Sequence, residues 1–130
     1  MRQEVMEVVA AAVVADGKLL VVSKEAAPDL FYLPGGKPEP GESPEETLRR
    51  ELDEELGVAP EDLEPLGVVE DVAALEGVPM RLTLFTATLS GRPRPAAELA
   101  ALRWTDGRDT RLAPAVAGHV VPMLRASGRL

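Results

Sequence analysis

The segment from Ser43 to Gly57 carries the strongest local structural signals in this chain. Ser43 is a typical N-cap residue, Pro44 occupies the first helical position, and Glu46 has capping-box spacing from Ser43. Three leucines at helical spacing form one apolar stripe: Leu48, Leu52 and Leu56. Gly57 follows at a C-cap position. The pattern predicts a helix over residues 44–56 that must pack its stripe against the rest of the chain.

Apart from this helix, most of the chain carries strand and turn signals. Asp16-Gly17 and Glu76-Gly77 each separate two β-rich runs and predict two hairpins, while a loop is expected at 60–65. The predicted strands cover residues 5–14, 19–22, 31–33, 66–74, 79–89 and 101–105. A second helix is predicted over 112–127, which Pro114 opens and Pro122 kinks or ends early. These elements indicate an α+β fold with a mixed sheet and hairpins between two helices.

The length of 130 residues predicts a single domain spanning 1–130. The formal net charge is −8, and the whole excess lies within residues 36–64, which hold eleven acidic and three basic residues. A nucleic-acid or anionic-membrane binder needs a basic face instead. We therefore expect neither nucleic acid nor a membrane as a partner.

Several classes of site and location are excluded by residues that the sequence lacks. There is no cysteine, so disulfides and thiolate sites are excluded, and His119 alone cannot build a histidine-rich metal site. The N-terminus lacks the order of a signal peptide, and the longest apolar run, residues 8–15, is too short to span a bilayer. A cytoplasmic protein is expected.

Three carboxylates lie close together on the predicted helix. Glu51, Glu54 and Glu55 share an arc of about 100° on a helical wheel, beside the leucine stripe. A solvated acidic face is one interpretation. The other is a metal site, because the helix lacks the regular Glu–Lys pairs of a solubilising face and follows a Gly/Pro loop. Oxygen ligands without His or Cys suit Mg²⁺, or Mn²⁺ as a substitute.

The spacing around these carboxylates forms an extended motif. From Gly36 to Val58 the chain follows the pattern G-x5-E-x7-R-E-U-x-E-E-x-G-U, where U is aliphatic. Its charged positions are Glu42, Arg50, Glu51, Glu54 and Glu55. The segment matches every fixed position of the Nudix box and follows Leu33-Pro34-Gly35, so the chain resembles the Nudix hydrolase family, MutT type. The resemblance implies an α/β/α sandwich.

The resemblance also implies Mg²⁺-dependent hydrolysis of a nucleoside diphosphate linked to another group. By position, Glu51, Glu54 and Glu55 would bind the metal together with the Gly36 carbonyl. Arg50 would orient a neighbouring carboxylate, and Glu42 would contribute from just outside the metal ligands. These are the roles that the family assigns to the matching positions.

The general base differs among members of this family. Glu54 or Glu51 is the first expectation here; Glu98, in a loop that leads to a strand, is an alternative, and Glu70 is a third. Lys37, Tyr32 and Arg81 are candidate substrate-binding residues, each with a structural role as the alternative.

Substrate choice follows from the resemblance and from missing markers. Ala73 and Ala74 stand where proline or tyrosine marks other Nudix subclasses. A nucleoside triphosphate, canonical or oxidised, hydrolysed to monophosphate and pyrophosphate is therefore favoured. The alternatives are ADP-ribose or sugar nucleotides as substrates, a non-catalytic nucleotide-binding regulator, and a purely structural acidic module. A homodimer is left open, with the first strand and last helix as candidate apolar patches.

Overall fold

The computed structural model describes residues 4–130. Its strands are β1 (Met6–Ala12), β2 (Val14–Ala15), β3 (Lys18–Lys24), β4 (Ala27–Tyr32), β5 (Gly35–Gly36), β6 (Pro60–Val72), β7 (Pro79–Leu89) and β8 (Leu99–Thr105). The helices are α1 (Pro44–Leu56) and α2 (Val121–Ala126), the latter preceded by a π-helical turn over Val116–Val120. None of the helices in residues 4–130 has the length and apolar character needed to cross a bilayer.

The strands form two four-stranded sheets. In the first, the order is β5-β1-β7-β6, with β1 parallel to β7 and the other neighbours antiparallel. In the second, β3 pairs along its length with β8, so that β2 and β4 share its other edge. Parallel and antiparallel pairing therefore coexist, as the predicted mixed sheet requires.

The core consists of two apolar layers on opposite faces of these sheets. Successive residues of β1 alternate between them: Val9 packs with the leucines of α1, whereas Ala10 packs with α2 and the π-helical turn. Both faces of the strands are thus covered by helices. The predicted α+β fold, arranged as an α/β/α sandwich, is confirmed.

Several strand predictions were wrong in their limits: β4, predicted over 31–33, begins already at Ala27, and β3 and β8 are longer than predicted. The run over residues 5–14 is not one strand of a hairpin, because it divides at Val13 into β1 and β2, which belong to different sheets. Only β2 forms the hairpin with β3. Asp16 and Gly17 close it with positive φ angles of 51° and 73°, as the Asp-Gly signal predicts.

The predicted loop at 60–65 was also wrong, since β6 begins at Pro60. This strand is at the edge of its sheet, where proline is tolerated, and it shifts register between Glu61 and Glu64 and again between Pro65 and Gly67. The bulges absorb residues that would otherwise interrupt the pairing. The length of β6 could not be predicted from strand propensity alone, because its bulges depend on the pairing with β7.

The two helices match their predictions to different degrees. Helix α1 has the predicted bounds, and its capping box is complete: the Glu46 N–H donates to Ser43 Oγ at 3.1 Å and the Ser43 N–H donates to Glu46 Oε1 at 2.9 Å. Gly57 is left-handed with φ 67°. The second helical segment starts at Pro114, the residue predicted to open it, and continues through Pro122 to residue 126, so Pro122 does not end it early. Pro122 has no backbone N–H to donate within a helix, and the π-helical turn over Val116–Val120 accommodates it.

Candidate active site

Arg50 on α1 is surrounded by carboxylates. Its guanidinium donates to both oxygens of Glu42, at 2.7 and 2.9 Å, and to Glu51 Oε1 at 2.8 Å. A further N–H donates to the Lys37 carbonyl at 3.0 Å, and Glu54 Oε2 lies 3.7 Å away. A guanidinium can make these contacts together because its donors form a planar fork. Arg50 therefore ties the loop after β5 to the helix.

Glu42 is the main hydrogen-bond partner of Arg50. Besides Arg50, its carboxylate accepts from the Glu39 N–H at 2.8 Å and from Thr47 Oγ1 at 3.0 Å. The Arg50 hydrogen bond, assisted by the one from Glu39, lowers the pKa of Glu42 to about 2. Glu42 thus remains ionised at physiological pH. Its two hydrogen bonds with Arg50 hold the Arg50 guanidinium beside Glu51.

Glu55 is the buried carboxylate of the set, with 4% of the residue exposed. Its Oε1 accepts from the Gly35 N–H at 3.1 Å. Burial raises the pKa of Glu55 to about 7, with the charges of Glu51 and Glu98 adding to the effect, whereas the Gly35 N–H and the charge of Lys24 oppose it. A bound cation would favour the ionised form of this side chain.

Gly36 lies directly against the Glu51 carboxylate. A Cβ at this position would lie 2.5 Å from Glu51 Oε1 and 2.8 Å from Oε2, closer than non-bonded atoms approach. Only a residue without a side chain leaves the carboxylate beside the backbone of β5. We call this contact between the Gly36 backbone and the Glu51 carboxylate the Gly36 cradle. Backbone carbonyls and carboxylates both supply the hard oxygen atoms that divalent cations prefer.

Glu54 completes the carboxylate set with a side chain that is 54% exposed. As the side chains stand, no three His, Asp or Glu residues of the described chain are gathered tightly enough to form a closed metal site. The donors nevertheless fit a hard divalent cation: three carboxylates on little more than one helical turn, one of them buried, beside the Gly36 cradle.

A cavity of about 140 Å³ lies on the face of the first sheet opposite α1. Its walls are mainly apolar and come from β1, β4, β7, the turn after β6 and the start of the last helical segment. Three polar side chains besides Glu76 line it: Lys24, Tyr32 and Lys37. Since the Lys37 carbonyl accepts from Arg50, the cavity and the carboxylate set share one loop.

The three candidates predicted for substrate binding have different surroundings. Lys37 and Tyr32 line the cavity, and the Tyr32 hydroxyl is buried without a hydrogen-bond partner. Burial and the nearby charges of Glu55, Glu98 and Glu76 raise the pKa of Tyr32. Arg81 does not line this cavity; it pairs with Glu7 at 2.7 Å and Glu70 at 3.4 Å.

Glu98, the alternative base, directly precedes β8. Its charge acts on Glu55, and its side chain, 66% exposed, pairs with Lys24 Nζ at 3.5 Å. The backbone nearby is tied to α1, because the Ala96 N–H donates to the Glu55 carbonyl at 2.8 Å. Glu70, by contrast, pairs with Arg81 on β7. His119 is 3.3 Å from Asp71, also outside the carboxylate set.

Sequence reasoning missed Lys24, Thr47 and the Gly35 N–H. Lys24 and Gly35 contact residues that are distant in sequence, so no local pattern marks them. Thr47 carried a usable signal, because it follows Ser43 by four residues at the start of a helix and can reach back to the loop. It also donates to Glu42.

The comparison with protein families is decisive. The sequence model of the NUDIX domain matches residues 6–125, nearly the whole chain. The chain belongs to the Nudix family.

Individual relatives agree with this family assignment. A Mycobacterium tuberculosis H37Rv protein named "Putative 8-oxo-dGTP diphosphatase 2" is 36% identical over 124 residues, which covers 91% of this chain and 87% of the relative. The CTP pyrophosphohydrolase of Escherichia coli K12 is 47% identical over 58 residues, 42% of this chain and 43% of that protein. The crystal structure of a MutT NUDIX hydrolase from Burkholderia pseudomallei is 30% identical, covers 98% of both chains and gives a TM-score of 0.73.

The comparisons confirm the predicted Nudix membership and the predicted enzyme class. This Nudix protein is a pyrophosphohydrolase, an enzyme class for which the box, the fold and the named relatives agree. The identity of the metal and of the nucleotide, and the roles of individual residues, stay predictions. A homodimer, a single domain over 1–130 and a cytoplasmic location stay predictions.

Proposed function

We propose that this Nudix enzyme hydrolyses a nucleoside triphosphate to the monophosphate and pyrophosphate, with Mg²⁺ as cofactor and Mn²⁺ as a substitute. The observation that carries the proposal is the unbroken box beside an apolar cavity lined by two lysines. Such a site offers an apolar enclosure for a base and positive charge for phosphates. The relatives named for 8-oxo-dGTP and CTP support the triphosphate class.

The box residues divide the work between ligands and their supports. Glu51, Glu54 and Glu55 would hold the metal with the Gly36 carbonyl, and the Gly36 cradle keeps Glu51 close to that backbone. When bound, Mg²⁺ neutralises phosphate charge and lowers the pKa of the attacking water. Arg50 fixes Glu51 through the hydrogen bond of 2.8 Å, and Glu42 fixes Arg50.

Glu54 is the best-placed general base. Its carboxylate is half-exposed and 3.7 Å from Arg50, so it keeps freedom to reach a water molecule. Glu51 is less suited, because the hydrogen bond of 2.8 Å from Arg50 and the contact with the Gly36 backbone hold its carboxylate in place. Glu98 is the alternative, and its pairing with Lys24 makes it second choice.

The cavity is proposed to receive the nucleobase. Its apolar walls from β1 and β7 would cover the faces of the base, and the Tyr32 hydroxyl, unpartnered and buried, is available to a polar group of the substrate. Lys37, at the junction with the box, would contact phosphate. Arg81 is engaged by Glu7 and Glu70, so we assign it no substrate role.

A nucleotide panel with Mg²⁺ tests this proposal. The panel contains canonical triphosphates, 8-oxo-dGTP, ADP-ribose, sugar nucleotides and dinucleoside polyphosphates, and the products are separated by chromatography. We expect a triphosphate to be turned over fastest, with release of pyrophosphate. Preferred turnover of ADP-ribose or a sugar nucleotide would overturn the substrate class, and binding without turnover would identify a regulator.

Mg²⁺ is expected to raise the melting temperature of the protein. Ligand binding to the native state alone stabilises it by about 2.7 kcal/mol at a hundred times Kd, which corresponds to several degrees for a domain of this size. The measurement is a thermal melt against Mg²⁺ concentration, with Ca²⁺ and Na⁺ at equal ionic strength as controls. An unchanged melting temperature across the Mg²⁺ series would favour a purely structural acidic module.

Arg50→Lys is expected to lower kcat/KM about 10- to 100-fold, because an ammonium group cannot hold Glu42, Glu51 and the Lys37 carbonyl together. The kinetic measurement uses the best triphosphate at saturating Mg²⁺. Arg49→Lys, at an exposed position next in sequence, is the matched control and should behave as wild type. Equal activities of the two variants would remove the supporting role of Arg50.

A further inference from the structure

Three residues of β6 face the last helical segment. In the regular part of the strand, Gly67, Val69 and Asp71 lie on one face, and Val69 is buried in the core layer that this segment covers. A Cβ on Gly67 would lie 3.0 Å from Met123 Cε. Asp71 Oδ2 lies 3.3 Å from His119 Nε2. The helical segment therefore lies against β6 with a packed contact at one end and a polar contact at the other.

The polar contact joins two walls of the cavity. Asp71 directly precedes residues 72–76, which line the cavity, and its Oδ1 accepts from the Val72 N–H at 2.7 Å. His119 belongs to the π-helical turn, whose first residue, Val116, lines another wall. Turns of this kind are rare and frequently occur at functional sites. The contact between His119 and Asp71 thus connects the wall that follows β6 to the wall that the last helical segment provides.

Other links between these two walls are weak. The turn over residues 73–78 is mostly exposed, and Leu75 at its tip is 43% exposed. Among the hydrogen bonds of residues 4–130, none joins this turn to the last helical segment. That segment is instead tied to β4, where the Ala113 N–H donates to the Phe31 carbonyl at 2.7 Å. The distance between the two walls therefore depends on the contact at the end of β6.

We propose that His119 and Asp71 are positioning residues, whose contact holds the two walls at the distance that fits the nucleobase. This inference rests on the proposed function, which places the base in the cavity. Neither side chain lines the cavity itself. Because the pair is partly exposed, it adds little to the overall stability, and its effect is local. A site held in its bound form avoids the ordering cost that binding otherwise carries.

Steady-state kinetics of His119→Leu test this role, because leucine is apolar and cannot make the contact. We expect KM for the preferred nucleotide to rise about 3- to 10-fold and kcat to stay within about twofold, since the carboxylates on α1 are untouched. Asp71→Ala should have the same effect, and the double variant should be no worse than either single one. His119→Lys should restore most of the affinity, because its ammonium group can pair with Asp71. A fall in kcat as large as the rise in KM would overturn the proposal.

Hydrogen exchange without any ligand measures the connection between the walls directly. In His119→Leu and Asp71→Ala we expect faster amide exchange at Ala73 and in residues 113–117, while α1 exchanges as in the wild type. Unchanged exchange at both walls would overturn the proposal.

Glu64→Ala is the matched control for Asp71→Ala. Glu64 is an exposed acidic residue of the same strand and does not line the cavity, so the substitution removes an equal charge from β6. KM and hydrogen exchange at both walls should stay as in the wild type. A rise in KM equal to that of Asp71→Ala would assign the effect to the charge of the strand and would contradict the role of the contact.

The outcomes also separate this proposal from the proposed function. Hydrolysis of a triphosphate with an unchanged KM in His119→Leu and Asp71→Ala overturns the positioning role alone. A raised KM in both variants for ADP-ribose or a sugar nucleotide, as the preferred substrate, supports the positioning role and overturns the proposed substrate. If the wild type hydrolyses nothing in the panel, faster exchange at both walls still supports the contact between them, and unchanged exchange overturns it.

Discussion

Replacing Glu54 by glutamine is expected to lower kcat by about 10³-fold or more, because the amide neither binds a divalent cation as an anion nor accepts the proton of the attacking water. The side chain is half-exposed and makes no hydrogen bond that the fold depends on; its contact with Arg50 is 3.7 Å long. The change is therefore expected to remove chemistry and to leave folding intact. Steady-state kinetics on the best triphosphate, with a thermal melt of the same sample, measure both.

The matched control for this change is Asp53→Asn. Asp53 is the exposed neighbour of Glu54 on α1, and the substitution removes the same charge from the same helix. It should keep activity within a few-fold of wild type. If Glu54→Gln retained more than about a tenth of the activity, the base would have to be sought at Glu98 or Glu51.

Gly35→Ala is expected to destabilise the fold by about 3 kcal/mol or more. Gly35 has φ 151°, and a Cβ there would overlap the Val9 carbonyl oxygen and lie 2.7 Å from the Ala10 Cα, both backbone atoms of β1. Strand β5 is only two residues long and cannot move away without losing its pairing with β1. Urea unfolding measures the loss, and an insoluble product is the extreme form of the same result.

The neighbouring Gly36→Ala is expected to behave differently. Its Cβ would meet the Glu51 carboxylate, the mobile end of a side chain, so the carboxylate can swing away at the cost of its hydrogen bond to Arg50. We expect a nearly normal melting temperature without metal and a loss of about 10- to 100-fold in kcat/KM. Equal losses of stability in the two variants would contradict the distinction between backbone and side-chain contacts.

Helix α1 could be predicted to the residue because its limits are set by local chemistry. Ser43, Pro44 and Gly57 act within one turn of the chain, and all their partners are nearby in sequence. The limits of β1 and β2 could not be predicted in this way. The same valines and alanines suit either sheet, and the division at Val13 depends on which distant strands lie alongside.

The same distinction applies to the candidate site. The spacing of Glu51, Glu54 and Glu55 predicts one face of a helix, and the structure has them on α1 as expected. The cavity could not be anticipated, because its walls run from Met6 to Val116 and are assembled only by the tertiary fold. The bond between Gly35 and Glu55 likewise joins residues twenty positions apart.

Successive residues of β1 face two different parts of the enzyme, the cavity and the layer beneath α1. Val8 and Ala10 line the cavity, whereas Val9 and Ala11 pack in the layer that supports α1. With the base in the cavity, as proposed, variation at residues 8 and 10 is expected to change which base is accepted while the helix bearing the carboxylates stays in place. Substrate range and catalytic power would then be separately adjustable in one short strand, which makes residues 8 and 10 the first positions to randomise when a new nucleotide preference is wanted.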